Sequence, residues 1–234
     1  MNQELLQKGI AAFGGTITKL QLEQFSAYSG LLKEWNAKMN LTAIVDDDGI
    51  AVKHFLDSIL PLYHVELEEN SSLMDVGTGA GFPGIPIKIM RPDLRLTLVD
   101  SLQKRVGFLD EVCSRLELKN VETVHGRAEE LGKDRQYRER FDTVTSRAVA
   151  NLKVLGEYCL PLVRQNGIFL ALKAEEMEAE LESAKAMLGN LGGSVEAVIS
   201  APLPESDMVR KLVLVRKERS TPAQFPRRTN RIKK

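Results

Sequence analysis

Apolar residues recur at intervals of three and four from Lys19 to about Met39, through Leu22, Phe25, Tyr28, Leu32, Trp35 and Met39, with Thr18 placed to cap the segment. The spacing predicts a helix with one buried face. From Gly49 to Tyr63 the pattern repeats through Ile50, Val52, Phe55, Ile59 and Leu62, with Pro61 near its end. Residues 1–65 therefore read as a helical cap lying outside the main core. Within it, Lys53, His54, Asp57 and Ser58 form either a solvated face or the rim of a site, and His54 taken alone reads as a structural histidine.

After Ser71 the period changes. Strand-length apolar runs lie at Ser72–Val76, Arg95–Val99, VETVHG, Phe141–Thr145 and NGIFLALK, and helical stripes separate them. Such alternation predicts a parallel sheet with helices on its faces. One stripe, Val106, Leu109, Val112, Cys113 and Leu116, gives a helix from Gln103 to Leu116 capped by Ser101. Ser146 and Arg147 fall in a loop after the fourth strand, and further helices run from about Leu152 to Pro161 and from Ala174 to Leu191. The last two runs, GGSVEAVIS and MVRKLVLVRK, are joined only by a loop with Pro202 and Pro204, so they pair as an antiparallel hairpin. A Rossmann-like α/β sheet closed by a C-terminal hairpin is the arrangement of class I methyltransferases, an argument from fold analogy alone.

The stretch SLMDVGTGAGFPGIPI, Ser72 to Ile87, is where chemistry concentrates. Glycines between a strand and a helix let a ligand approach the backbone closely. Gly79, Gly81 and Gly84 satisfy the dinucleotide pattern G-x-G-x-x-G, but Pro83 removes an N–H and Asp75 adds a negative charge, and both oppose a pyrophosphate. A ligand with an ammonium or sulfonium charge suits Asp75 better. S-adenosylmethionine fits: its ammonium toward Asp75, its carboxylate toward the helix N-terminus, and its ribose toward Asp100, which ends LRLTLVD. Ala128 and Glu129 follow the third strand, at the carboxyl edge of the sheet where such ligands bind.

At 234 residues the chain holds one substantial core and an appendage. It shows neither a bilayer-length apolar run nor a signal pattern, so a cytoplasmic protein is expected. Cys113 and Cys159 sit in helical patterns as buried thiols, and His54, His64 and His125 lack ligand spacing, so no metal site is expected. The zero net charge conceals a split: from Arg210 to Lys234 ten Lys and Arg face one acid, Glu218, leaving +9 there and −9 on residues 1–209. The tail reads as a basic arm for a polyanion, or as a solvated terminus that aids solubility.

Taken in order, WNAKMNLTAI, KHFLDS, DVGTGAGFPGIPI, VDSLQKRVGFL, GRAEE, FDTVTSRAVA, LPLVRQNGIFLALK and TPAQFPRR resemble the bacterial ribosomal RNA small subunit methyltransferase G family, also called glucose-inhibited division protein B, over nearly the whole chain. The resemblance implies methyl transfer from S-adenosylmethionine to N7 of one guanine of 16S rRNA by a cytoplasmic enzyme, expected to be a monomer. Its cofactor contacts fall on Gly77, Phe82, Ala128, Glu129 and Arg147; Asp75, Gly79 and Asp100 are added from the turn's chemistry. Lys173-Ala174 replaces the family's usual Lys-Gly, and Phe225-Pro226-Arg227-Arg228-Thr229-Asn230 departs from its usual tail. Guanine N7 has a free lone pair, so positioning rather than deprotonation is the main task. Arg147, with Lys173 and Arg127, is expected to orient the guanine or its phosphate, although Arg127 and Lys173 also read as solvated strand-end charges. Three domains are expected: a helical cap (1–65), a methyltransferase core (66–217) and a basic arm (218–234). The competing readings are a nicotinamide oxidoreductase, a non-catalytic RNA-binding or ribosome assembly factor, and methyl transfer to a small molecule or protein.

Overall fold

Strict alternation of side chains along each strand sorts the apolar residues onto the two faces of one sheet. In the computed structural model, which describes residues 1–147, 150–227 and 232, that sheet has seven strands in the order β3-β2-β1-β4-β5-β7-β6. They are β1 (Ser72–Val76), β2 (Arg95–Asp100), β3 (Val121–His125), β4 (Phe141–Arg147), β5 (Val163–Ala174), β6 (Gly193–Pro202) and β7 (Val209–Lys217). Strands β1 to β5 pair in parallel, while β7 runs antiparallel to both β5 and β6, as the closing hairpin requires. Leu73, Leu96, Leu98, Leu170 and Leu212 pack on one face; Met74, Val99, Phe169, Ala171 and Val213 pack on the other.

The first face is covered by the helices Gly84–Met90 and Gln103–Arg115, on which the N-terminal helices pack in turn. α1 (Gln3–Ala12) and α2 (Lys19–Met39) place Leu6, Ile10, Phe25, Tyr28 and Leu32 in the same cluster as Leu73, Ile85 and Leu96. The cap therefore does not lie outside the core; it completes it, the stripe of α2 packing on Phe55 and joining the same cluster as the sheet residues. Thr18 caps α2 as predicted, in a capping box with Gln21. Residues 47–63 are helical but irregular. Ile50–Leu56 takes the wider π geometry and Leu60–Tyr63, with Pro61, tightens to a 3-10 turn.

Three local expectations change. Ser101 does not cap the helix Gln103–Arg115; the cap position is Leu102, whose N–H donates to Asp100 Oδ1 at 2.9 Å. Ser146 and Arg147 are the last residues of β4 rather than loop residues, because they continue the pairing with Ala171 and Leu172. The helix placed from Ala174 starts at Glu178, since β5 extends through Ala174. Of the quoted loops, Ala148 and Val149 lie outside the described residues, as do Arg228, Thr229, Asn230, Arg231, Lys233 and Lys234.

The tail up to Arg227 is not a solvated arm. Lys217 is fully buried, and its Nζ donates to Leu160 O at 2.5 Å and Thr221 Oγ1 at 2.6 Å and lies 3.2 Å from Glu139 Oε1. The Arg138 guanidinium donates to Thr221 O at 2.6 Å and Phe225 O at 2.9 Å. Arg227 forms a two-pronged pair with the buried carboxylate of Glu157.

Candidate functional site

The parallel pairing brings the carboxyl ends of β1 to β5 to one rim, and the order reverses between β1 and β4, where a crevice opens. The glycine turn sits over that point. Gly77 and Thr78 both donate to Val99 O, at 2.9 and 3.0 Å, which fixes the turn against β2. Gly79, at φ +62°, has nothing within 4 Å of where a Cβ would stand, so the backbone there is open to a ligand. Gly81, at φ +95°, faces inward, where a Cβ would strike Ile85 and Tyr28.

Asp75 lies beneath the turn rather than beside it. Its Oδ2 accepts from Thr78 Oγ1 at 2.6 Å and from the Gly84 N–H at 2.9 Å. Its Oδ1 is buried with no partner among the described residues. Burial away from water pushes its pKa up to about 6, against the hydrogen bonds from Thr78 and Gly84 that favour the charge. The start of the helix Gly84–Met90 is also closed. Gly84 N donates to Asp75, Ile85 N to Gly81 O and Ile87 N to Pro83 O, and Pro86 has no N–H. A ligand carboxylate thus finds no free donor at this helix start, contrary to the expectation from the turn alone.

Asp100 stands across from the open glycine, as the spacing predicts: its Oδ2 accepts the Gly79 N–H at 3.0 Å and lies 3.4 Å from Arg105 Nη1. Ala128 and Glu129 begin the short helix Ala128–Leu131 after β3, both largely buried. Arg127 is not part of the same cleft as Arg147 and Lys173. It follows β3, at the far side of β2 and β1 from β4, and its side chain is 57% exposed with Glu129 at 3.9 Å.

Arg147 is the centre of the other half of the site. Its Cζ lies 5.1 Å from the centre of the Phe82 ring, and its Nη1 donates to Asp57 Oδ2 at 2.8 Å. The second Asp57 oxygen accepts from Arg210 Nε at 2.6 Å. His54 stacks on Phe82 at 4.5 Å, and its Nε2 is 2.8 Å from Thr42 Oγ1. Burial, helped by the Arg147 charge, lowers its pKa to about 4, so it is a neutral part of the wall. Lys173 Nζ is held by Glu180 Oε1 at 2.6 Å and Ala150 O at 3.0 Å. Lys53, His54, Asp57, Arg147, Lys173 and Arg210 share one cleft of ≈ 450 Å³.

Sequence reasoning passed over one member of this cluster, Arg210, which was hidden inside the basic tail; Asp57 was read as either a solvated face or a site rim, and the structure places it in the cleft, with partners far away in the chain. Neither cysteine adds a nucleophile: burial raises the thiol of Cys113 to about 12 and that of Cys159 further above its ordinary value.

A switch-point crevice under an open glycine turn, with a strand order closed by an antiparallel β7, defines the class I methyltransferase fold. Solved structures agree on that fold: a precorrin-6y C5,15-methyltransferase from Geobacter metallireducens (18% identity, 68% of this chain and 88% of that one, TM-score 0.51) and TYW2 from M. jannaschii, solved in complex with AdoMet (16% identity, 65% and 70%, TM-score 0.52). The chain belongs to the rRNA small subunit methyltransferase G family, GidB, whose model matches residues 21–208. Proteins named ribosomal RNA small subunit methyltransferase G from Acetivibrio thermocellus (49% identity, 99% of this chain and 95% of that one) and Exiguobacterium sibiricum (48%, 97% and 96%) align over almost their whole length.

Proposed function

We propose that this chain transfers the methyl group of S-adenosylmethionine to N7 of one guanine in 16S ribosomal RNA, in the cytoplasm and as a monomer. The observation that carries the reading is the pairing of an open glycine turn facing Asp100 with a clamped arginine, Arg147, on the next strand of the same rim. The residues present fit the cofactor: Gly79 leaves the space that a Cβ would fill, with Asp100 beside it, while Asp75, fully buried beneath the turn, supports the turn through Thr78 and Gly84. Gly77, Gly79, Phe82, Asp100, Ala128, Glu129 and Arg147 would hold it. When bound, the cofactor supplies an electrophilic methyl group.

The chain itself contributes position and exclusion of water. The acceptor lone pair needs no general base, which agrees with a neutral His54 in the cleft wall. His54, which stacks on Phe82, and Leu172 give the cleft less polar walls beside its charged groups. A base paired in an A-form helix does not offer N7 to such a cleft, so the target guanine enters from a loop or is flipped out. The first 65 residues act as an integral part of the catalytic unit, because Asp57 reaches into the cleft.

Incubation with labelled S-adenosylmethionine and unmodified small-subunit RNA, followed by mapping of the product, tests the proposal. One methyl group at N7 of a single guanine is expected. Absence of transfer, or transfer only to protein or a small molecule, would overturn it. Arg147→Gln should lower kcat/KM by about 100-fold at a temperature where the variant is still folded, far more than its loss of stability from removing one of the two cations on Asp57, the pattern expected of a side chain that orients the reacting groups.

A further inference from the structure

The cleft beside the cofactor turn is lined by Lys53, Arg147, Lys173 and Arg210 against Asp57, Glu176 and Glu180, and two of its cations are fixed by one acid. Asp57 lies on the irregular helix 47–63, in the segment that follows its π turn, and is almost fully buried. Its two oxygens engage two different guanidiniums, Arg147 at 2.8 Å and Arg210 at 2.6 Å, contributed by β4 and β7. One negative charge thus fixes two positive ones. Among the described residues, Arg147 Nε and Nη2 and Arg210 Nη1 meet no hydrogen-bond acceptor, and Lys53 is exposed on the same wall. Lys173 is neutralised by Glu180.

We propose that Asp57 is a positioning residue that holds Arg147 and Arg210 as an oxyanion cradle, and that the cradle takes a backbone phosphate of the RNA next to the target guanine, with Arg210 as its main contact. The inference rests on the rRNA methyltransferase reading above. Chemistry chooses the phosphate over the base. Methyl transfer leaves a positive charge on the guanine ring, so a guanidinium hydrogen-bonded to the ring opposes the reaction, whereas one on a neighbouring phosphate does not. A guanidinium held by its own carboxylate keeps its remaining N–H groups pre-aimed, and two N–H groups match two phosphate oxygens. The cleft also opens at the carboxyl ends of β4 and β5, beside the turn, which is where a flipped nucleotide must pass.

Charge and position make opposite forecasts for Asp57→Asn. Removing a carboxylate makes the cleft more positive, so a purely electrostatic cleft would bind RNA more tightly. A cradle that depends on Asp57 loses its geometry and binds more weakly. The test uses the full chain and three measurements: RNA affinity across a salt series with a small-subunit RNA fragment, S-adenosylmethionine affinity by calorimetry, and melting temperature. Arg210→Gln, at a partly exposed position, is expected to weaken RNA binding about 5- to 10-fold at low salt, to reduce the salt slope by about 0.7 to 0.9, and to leave cofactor affinity unchanged. Asp57→Asn is expected to weaken RNA binding by at least as much. An unchanged salt slope for Arg210→Gln, or tighter RNA binding by Asp57→Asn, would overturn the cradle. An equal loss of cofactor affinity in Arg210→Gln would overturn it too, assigning the oxyanion to the cofactor's carboxylate. If Asp57→Asn melts far below the parent, Arg210→Gln alone decides. Failure of the methyltransferase reading itself is separate, because it would appear as no methyl transfer to RNA by the unaltered protein.

Discussion

Asp75 shows how one buried carboxylate can set a pH dependence. It shares the face of Leu73 on β1, alternating with Met74 and Val76, and so points toward the first core cluster, under Gly84, where burial raises its pKa from 3.8 to about 6. A raised folded-state value means that its stabilising contribution is fully present below pH 3.8 and is lost as the pH rises through 6. His54 has the opposite sign: its folded value of about 4 lies below 6.5, so its contribution is present above 6.5 and lost as the pH falls through 4. Between pH 4 and 6 the two oppose each other and flatten the profile. Asp75→Asn keeps an oxygen for Thr78 and Gly84 and removes the titration. Relative to the parent, its unfolding free energy should therefore rise by up to about 3 kcal/mol from pH 4 to pH 7, measured by urea denaturation. Parallel profiles for the two proteins would show that Asp75 does not titrate in this window. The sequence reading placed Asp75 beside the turn, facing a ligand cation, whereas it is buried beneath the turn. The closed helix start was not readable either, because it depends on where the turn folds back.

At the scale of elements, the largest misreading concerned the C-terminal segment, and its cause is the distance between partners. A run of like charges reads as solvated because local counting cannot see acids elsewhere. Here Arg227 pairs with Glu157, 70 positions away, and Arg210 with Asp57, 153 positions away, while Arg216 pairs with Glu196 and Lys217 with Glu139. The segment from 218 to 227 is a strap across the second core cluster. Its two ends of the Arg227–Glu157 pair are unequal: the Glu157 side chain is 1% exposed and that of Arg227 is 32% exposed. Arg227→Gln leaves a buried carboxylate without its cation and should cost about 3 kcal/mol, whereas Glu157→Gln leaves an arginine that water can reach and should cost about 1 kcal/mol. Chemical denaturation of the two variants measures the asymmetry. Equal losses would mean that the pair is as exposed in solution as an ordinary surface bridge.

Across the whole molecule, strand periodicity located the sheet and its ligand-binding rim, since β1 to β5 each announce themselves by an apolar run and an end marker such as Gly77, Asp100 or Lys173. What periodicity could not supply is the third dimension of the N-terminal helices, whose stripes say that a face is buried but not against what. The same limit applies to charge. The +9 of residues 210–234 suggested a free handle for RNA, yet Arg210, Lys211, Arg216, Lys217 and Arg227 all pair with acids of the body, and Arg219 donates to Gly189 O. The other four basic residues of the segment, Arg228, Arg231, Lys233 and Lys234, lie outside the described residues. Two alterations of the tail should consequently behave differently. Deleting residues 219–234 removes Thr221 from Lys217 and Arg227 from Glu157, so it should lower the melting temperature and cofactor binding along with RNA binding. Changing the four terminal basic residues to Gln should leave the strap, the melting temperature and cofactor affinity in place, while RNA affinity drops and the salt slope falls by up to about 3. A parental salt slope in the Gln variant would confine the RNA to the body of the enzyme, with the cleft between Arg147 and Arg210 as its phosphate contact.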